Sequence, residues 1–196
     1  MIQKALNTNS DVAVFLDRDG TVNTEVDYLS SIKDLRLIKN TAKAIRFLNQ
    51  NKIKVIIVTN QSGISRGLFS IDDLDNVHDE LKRRLRRKGA YIDAIYYCPH
   101  HPDDECSCRK PKKGMFKLAA KDFDLKLNKC YIIGDKLTDI KAANNISAKG
   151  ILVKTGYGGT EVNRIEKEDI IPDYIADNLY EAVKWIIKNI NREKNE

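Results

Sequence analysis

Four short apolar runs, Val12 to Leu16, Ile53 to Thr59, Ile92 to Tyr97 and Cys130 to Gly134, recur along the chain with helix-period segments between most of them. A strand that is apolar at every position must be covered on both faces, and strands alternating with helices satisfy that only in a doubly wound α/β sheet. The pattern therefore predicts a mostly parallel, Rossmann-like sheet. The helices expected between the runs are Thr41 to Asn49, Ile71 to Lys88, Met115 to Asp122 and Leu137 to Asn144. A further strand at Ile151 to Val153 and an end helix near Leu179 to Ile190 complete the expected layout.

With 196 residues, 42% hydrophobic and 32% charged, the chain can bury a core as one domain spanning 1–196, and its ten Gly and four Pro argue against a collagen-like or disordered chain. No apolar run approaches the roughly 20 residues needed to cross a bilayer, so no membrane association is expected. The polar stretch Met1 to Ser10 lacks the apolar centre of a secretory signal, which predicts a cytoplasmic protein with reduced cysteines. The formal charge of +6 favours anionic partners without saying which. The basic run Lys82 to Lys88 closes a helix with Ser70 as N-cap and Gly89 as stop, and reads as a solvated face near the negative end of the helix dipole. A nucleic-acid patch is the less favoured reading of the same run. His78 is expected to be exposed on this helix, and Cys130 to be a small core residue.

In a parallel sheet the functional groups gather at the carboxyl ends of the strands. Those ends hold Asp17-Arg18-Asp19-Gly20-Thr21, Thr59-Asn60-Gln61-Ser62-Gly63, the stretch from Cys98 to Pro111, and Gly134-Asp135-Lys136. A carboxylate directly after a buried strand is expensive unless it meets a cation. Asp17 can act as a nucleophile towards phosphorus while Asp19 moves protons. Asp135 and Asp139, from a separate strand end, can join Asp17 around a hard divalent cation such as Mg²⁺. Thr59, the backbone N–H groups of the Asn60 to Gly63 turn and a lysine from the third loop can then stabilise the phosphoryl group.

Phe15-Leu-Asp17-Arg-Asp19-Gly-Thr21, Thr59-Asn-Gln, Lys110 and Gly134-Asp135-Lys-Leu-Thr-Asp139 together resemble the four ordered motifs of the haloacid dehalogenase-like phosphatases. The resemblance implies Asp17 as nucleophile, Asp19 as general acid then base, and Thr59 and Lys110 as phosphoryl stabilisers. It places Mg²⁺ at Asp17, Asp19 and Asp135, with the Arg18 carbonyl as a ligand and Asp139 in support. Residues 20 to 52 leave room for only a loop and one helix, so the core is expected to lack a cap domain.

The loop Cys98-Pro-His100-His101-Pro-Asp-Asp-Glu-Cys106-Ser-Cys108-Arg109-Lys110-Pro111 offers three thiolates and an imidazole, a closed tetrahedral shell for a structural Zn²⁺. Free or redox thiols are the alternative. His100 is the ligand that the resemblance selects, although His101 is open to the same role. A rigid loop here would aim Arg109 and Lys110 at substrate.

Capless phosphatases with a zinc loop resemble two enzyme families, the heptose 1,7-bisphosphate 7-phosphatases and the histidinol-phosphatases. Asn23 to Tyr28, the Thr59 to Gly67 turn and Tyr96 to His101 look more like the heptose enzymes, as does the extent of the chain. The short spacer Asp103 to Glu105 looks more like the histidinol form. The resemblance to the heptose enzymes implies a small phosphorylated sugar as substrate and Mg²⁺ and Zn²⁺ as cofactors. The substrate-facing residues would be Arg18, Glu25, Tyr28, Asn60, Gln61, Ser62, Arg109 and Lys136, with Arg109 gripping the phosphate that is retained. A monomer is expected. A polynucleotide phosphatase and a non-enzymatic zinc module remain the alternatives of other classes.

Overall fold

The computed structural model describes residues 11–193; the polar segment Met1 to Ser10 lies outside them. Six strands, β1 (Ala13–Leu16), β2 (Lys54–Asn60), β3 (Ala94–Cys98), β4 (Tyr131–Gly134), β5 (Lys149–Val153) and β6 (Tyr174–Ala176), form one sheet in the order β3-β2-β1-β4-β5-β6. Every neighbouring pair is parallel. The larger helices are α1 (Thr41–Gln50), α2 (Ile71–Arg86), α3 (Gly114–Phe123) and α4 (Leu137–Asn145), with two single-turn helices, α5 (Gly158–Glu161) and α6 (Ile165–Glu168), and a terminal α7 (Leu179–Glu193). This is the doubly wound sheet that the apolar runs imply, with strand ends shifted by one or two residues.

Alternation along the strands sorts the core into two layers. Val14 and Leu16, Val55 and Ile57, and Tyr131 and Ile133 face α1, α2 and α7. Ala13 and Phe15, Ile56 and Val58, and Ile132 face α3 and α4, where Phe15 meets Phe116 edge to face at 5.2 Å. Cys130 is fully buried in this second layer, as expected of a small core residue. The β6 strand and the α5–α6 segment carry no clear sequence signal. Three residues are too short to show a period, and β6 is an edge strand paired only to β5.

The start of α2 is the capping box read from Ser70 and Asp73. Its basic end is largely a paired, solvated face: Glu80 accepts from both Arg83 and Arg84 at 2.6 Å. Arg84 also donates to the carbonyls of Ile32 and Leu35, which ties the loop before α1 to α2. Gly89 follows at φ +70°, a left-handed stop. No helix among the described residues is long and apolar enough to cross a membrane. Between Asp19 and α1 there is only a loop, pinned by isolated bridges at Asp19, Asn23 and Leu37, and no cap domain covers the strand ends from this segment.

Candidate active site

The strand order switches sides between β1 and β4, which are parallel neighbours in the sheet although a long stretch of sequence separates them. That switch point opens a crevice at the strand carboxyl ends, and the two strands deliver Asp17 and Asp135 into it. The resulting cleft has a volume of about 420 Å³ and is lined by residues from five loops. Of the residues expected at the site, Asp17, Asp19, Glu25, Tyr28, Thr59, Asn60, Gln61, Ser62, Arg109, Lys110 and Lys136 line it.

Asp17, Asp135 and Asp139 bring carboxylate oxygens within 4.8 Å of one another, all three residues buried. Lys110 Nζ reaches Asp17 at 2.8 Å and Asp139 at 2.7 Å. Burial opposes the charge of Lys110, but Asp139 and then Asp17 outweigh it and hold the ammonium above its usual range. Three carboxylates against one ammonium leave an excess of two negative charges. Burial, with the charges of Asp17 and Asp139, pushes Asp135 up to about 8. Asp135 Oδ2 accepts from the Tyr157 backbone N–H at 2.8 Å, while its buried Oδ1 has no partner. An orphaned carboxylate oxygen in an under-neutralised, all-oxygen cluster fits a hard divalent cation such as Mg²⁺.

Asp19 lies two residues from Asp17 in an opposite setting. Its carboxylate accepts from Arg18 Nη2 at 2.7 Å, from Asn23 Nδ2 at 2.9 Å and from Gln61 Nε2 at 3.1 Å. Burial pushes its pKa upwards, yet the Arg18 charge and these hydrogen bonds win and hold it below the usual value. The Asp19 carboxylate is thus not one of the clustered metal-facing groups. The Arg18 carbonyl already accepts from the Val22 and Asn23 N–H groups at 2.8 and 3.0 Å, using both lone pairs within the turn.

Four further expectations change. Arg18 has no exposed surface and points away from the cleft into a network with Asp19, Gln61 and His78, so it cannot bind substrate. His78 is 4% exposed, not a surface residue, because it lies on the same face of α2 as Leu74, Val77, Leu81 and Leu85. Asn60 spends its amide on the Lys110 backbone, accepting from its N–H at 3.0 Å and donating to its carbonyl at 3.2 Å. Gln61 is similarly engaged, with Nε2 also donating to Thr59 Oγ1 at 2.9 Å.

The wall facing the cluster comes from Glu25, Lys136 and Tyr157. Lys136 Nζ lies 3.5 Å from Glu25 and 4.4 Å from the centre of the Tyr157 ring. Burial raises Glu25, with Lys136 opposing and the charges of Asp19 and Asp17 adding to it. Sequence reasoning missed the segment after β5 that supplies Tyr157. Thr155 Oγ1 donates to the Gly20 carbonyl at 2.6 Å, and Gly156, at φ +55°, packs where any Cβ would strike Asp135 and Gly20. Gly20 and Gly134 are equally confined, against Asp135 and Asp139. Two glycines flanking a tyrosine just past a strand are the signal that could have found it.

On the other side, Cys98, Cys106 and Cys108 place their sulfurs 3.1–3.5 Å apart, with His100 Nδ1 3.2 Å from Cys108 and 3.5 Å from Cys98. None of the three is in a disulfide. The donor set and its spacing fit a closed tetrahedral zinc shell. The His101 ring turns instead to accept from the Asp103 N–H, while its own backbone N–H donates to Asp104 Oδ2, so His100 is the histidine in the cluster. Arg109 Nη1 donates to the His100 carbonyl at 3.4 Å and has no carboxylate partner among the described residues, leaving its charge at the cleft.

Residues 107–182 match the model of the HAD-hydrolase-like family. The D-glycero-D-manno-heptose-1,7-bisphosphate 7-phosphatase of Thermosynechococcus vestitus is 40% identical over 91% of this chain and 96% of its own. The D-glycero-beta-D-manno-heptose-1,7-bisphosphate 7-phosphatase of Haemophilus ducreyi is 39% identical over 84% of this chain and 94% of its own. The crystal structure of the D,D-heptose 1,7-bisphosphate phosphatase of B. bronchiseptica, complexed with magnesium and phosphate, superposes with a TM-score of 0.83 at 34% identity, covering 91% of this chain and 98% of that one. With the parallel sheet, the carboxylate cluster and these relatives in agreement, the chain belongs to the HAD-like hydrolases, in the family of the heptose-1,7-bisphosphate 7-phosphatases.

Proposed function

We propose that the protein removes the C7 phosphate of D-glycero-D-manno-heptose 1,7-bisphosphate, leaving the 1-phosphate. The observation that carries this reading is the buried Asp17–Asp135–Asp139 cluster with Lys110 across it, at the floor of a cleft whose rim presents Arg109. Relatives of matching length act on that sugar bisphosphate.

Asp17 and Asp135 are the residues that would hold Mg²⁺, with the free Asp135 Oδ1 among the donors. When bound, the ion screens the phosphoryl oxygens from the carboxylates. Asp17 attacks phosphorus, and the sugar oxygen leaves with a proton from Asp19, which takes that proton from the monoanionic phosphate of the bound substrate, giving an aspartyl-phosphate. Asp19 then takes a proton from water as that water attacks the same phosphorus, which releases inorganic phosphate and restores Asp17. Thr59 and Lys110 hold phosphoryl oxygens, and Asn60 fixes the Lys110 backbone at the required height. Glu25, Tyr28, Ser62 and Lys136 face the sugar. Arg109 takes the phosphate that is not cleaved, since its planar fork matches a phosphate edge.

Zinc, held by Cys98, His100, Cys106 and Cys108, has a structural role in this scheme: it fixes the loop that ends in Arg109 and Lys110. No catalytic position is left open by four protein ligands.

Steady-state kinetics on the heptose bisphosphate and on histidinol phosphate, with Mg²⁺ present, test the reading. The expected result is release of one phosphate per heptose and far slower turnover of histidinol phosphate. A preference for histidinol phosphate overturns it. In the same assay Arg109→Ala should lose kcat/KM on the bisphosphate by roughly the 1.5–3 kcal/mol of a charged hydrogen bond, and much less on a monophosphate.

A further inference from the structure

His78 Nε2 lies 3.1 Å from Arg18 Nη1, between α2 and the first strand turn, and both residues are buried. A guanidinium can only donate, so Nε2 is the acceptor and the ring is neutral with its proton on Nδ1. Burial, then the charges of Arg18 and Lys82, push His78 down to about 3, against the weaker pull of Asp19 and Asp79. Tyr97 packs against the ring at 6.0 Å between centres. The other side of the same guanidinium grips Asp19: Nε lies 3.1 Å from each carboxylate oxygen and Nη2 lies 2.7 Å from Oδ2. Nη2 also donates to Gln61 Oε1 at 3.1 Å.

The guanidinium is a rigid plane, so the partner of Nη1 sets the orientation of the edge that holds Asp19. Removing that partner leaves a buried charged donor unmatched, and the plane must turn to recover it. We propose that His78 is a positioning residue for phosphoryl transfer: it anchors the buried end of Arg18 so that the opposite edge aims the Asp19 carboxylate at the leaving oxygen. The proposal rests on the reading of Asp19 as the proton donor above. It assigns no proton transfer to His78 itself, which stays neutral and never touches substrate.

A merely structural His78 would affect all substrates alike. An aiming role has a different signature, because a misplaced acid harms expulsion of a poor leaving group, such as a sugar alkoxide, far more than expulsion of a nitrophenolate that needs no proton. Displacement of a catalytic group by about 1 Å can cost 10²-fold.

The experiment compares kcat and KM of the full-length, Mg²⁺- and zinc-loaded enzyme on the sugar bisphosphate and on a series of aryl phosphates spanning leaving-group pKa. His78→Phe keeps the ring and deletes the acceptor; His78→Asn keeps an amide too short to reach Arg18; His78→Gln places an amide oxygen near the position of Nε2. Both His78→Phe and His78→Asn should lose about 10²-fold in kcat on the sugar phosphate with KM little changed, and only a fewfold on p-nitrophenyl phosphate. His78→Gln should stay near the parent on both. If His78→Phe does not fold, the Asn and Gln pair decides. Equal losses across the leaving-group series, or a Gln variant as impaired as the Asn variant, overturn the proposal. Asp19→Asn in the same series separates the two readings: if it shows no leaving-group selectivity, the acid assignment fails; if it does and His78→Asn does not, the positioning role fails.

Discussion

Asp17 and Asp19 belong to the same turn, yet their surroundings are inverted. Asp17 looks across at two more carboxylates and a single ammonium. Asp19 is ringed by donors, Arg18, Asn23 and Gln61, with no other acid among its hydrogen-bonding partners. The first setting under-neutralises its carboxylates and calls for a cation; the second over-supplies donors and fixes the direction of a carboxylate. Division of labour between two identical side chains therefore comes from neighbours on other strands and helices, and the turn itself only separates them. Charge is what α4 and the β4 end contribute to one, and direction is what α2 and the β2 end contribute to the other.

The comparison breaks most visibly if the two aspartates prove interchangeable. Asp17→Asn should abolish turnover, on the order of the 10⁶-fold losses seen when a covalent nucleophile is removed, with zinc content and thermal stability retained. Asp19→Asn should cost about 10² to 10⁴ in kcat and allow phosphate to accumulate on Asp17, detectable by intact-mass measurement after acid quench. Equal loss in both variants, with no phosphoenzyme in either, would remove the distinction.

A smaller effect isolates the metal side. Gly134→Ala drives a Cβ into the Asp139 carboxylate and should weaken Mg²⁺ binding by about 10- to 100-fold, the usual cost of disturbing the groups behind metal ligands. Titration calorimetry reads this directly, and unaltered affinity would show that Asp139 does not support the ion.

The smallest effect has opposite signs on the two sides. Asp135 is raised to about 8, so the folded protein without divalent metal binds a proton that the unfolded chain has already lost. Its contribution to stability is complete below about pH 4 and fades as pH rises towards 8. His78 is lowered to about 3, so its contribution is present above about pH 6.5 and fades as pH falls towards 3. Melting temperatures of the metal-free protein should shift by a few degrees in each window. Mg²⁺ or Asp135→Asn should flatten the alkaline window, and His78→Gln the acidic one. A single monotonic trend unaffected by either variant would contradict both assignments.

Much of this site is legible in the amino-acid order alone, because Asp17, Thr59 and Asp135 each sit at the end of an apolar run and Lys110 and Asp139 follow in the segments just beyond two such runs. Strand direction then brings them together. The three cysteines are legible for a similar reason, since their spacing is local. The environment of Asp19 is not, because Arg18 meets Gln61 and His78 only through folding, across 43 and 60 residues. Its signal is nevertheless present: His78 falls at helical spacing from Leu74 and Leu81, on the stripe that must face the sheet. Asn60 reads as substrate-facing because a polar residue at a strand end looks the same whether it serves a ligand or the neighbouring backbone. The Thr155 to Gly158 segment escapes notice because it carries no titratable group except a tyrosine, and acts through a backbone N–H and through the absence of side chains.

That absence has a consequence for how such an enzyme can change. The floor beneath the carboxylates is made of Gly20, Gly134 and Gly156, each already pressed against Asp135 or Asp139. Every replacement of a glycine adds at least one carbon, so these positions have no silent neighbours: each variant lands on an acid that the chemistry needs. The upper wall is different. Tyr28 and Tyr157 are about half exposed, and side chains there can be exchanged without reaching the floor. Selectivity for one phosphorylated substrate over another can therefore drift by single substitutions while the reaction stays fixed, which lets one scaffold be inherited by pathways that have nothing else in common.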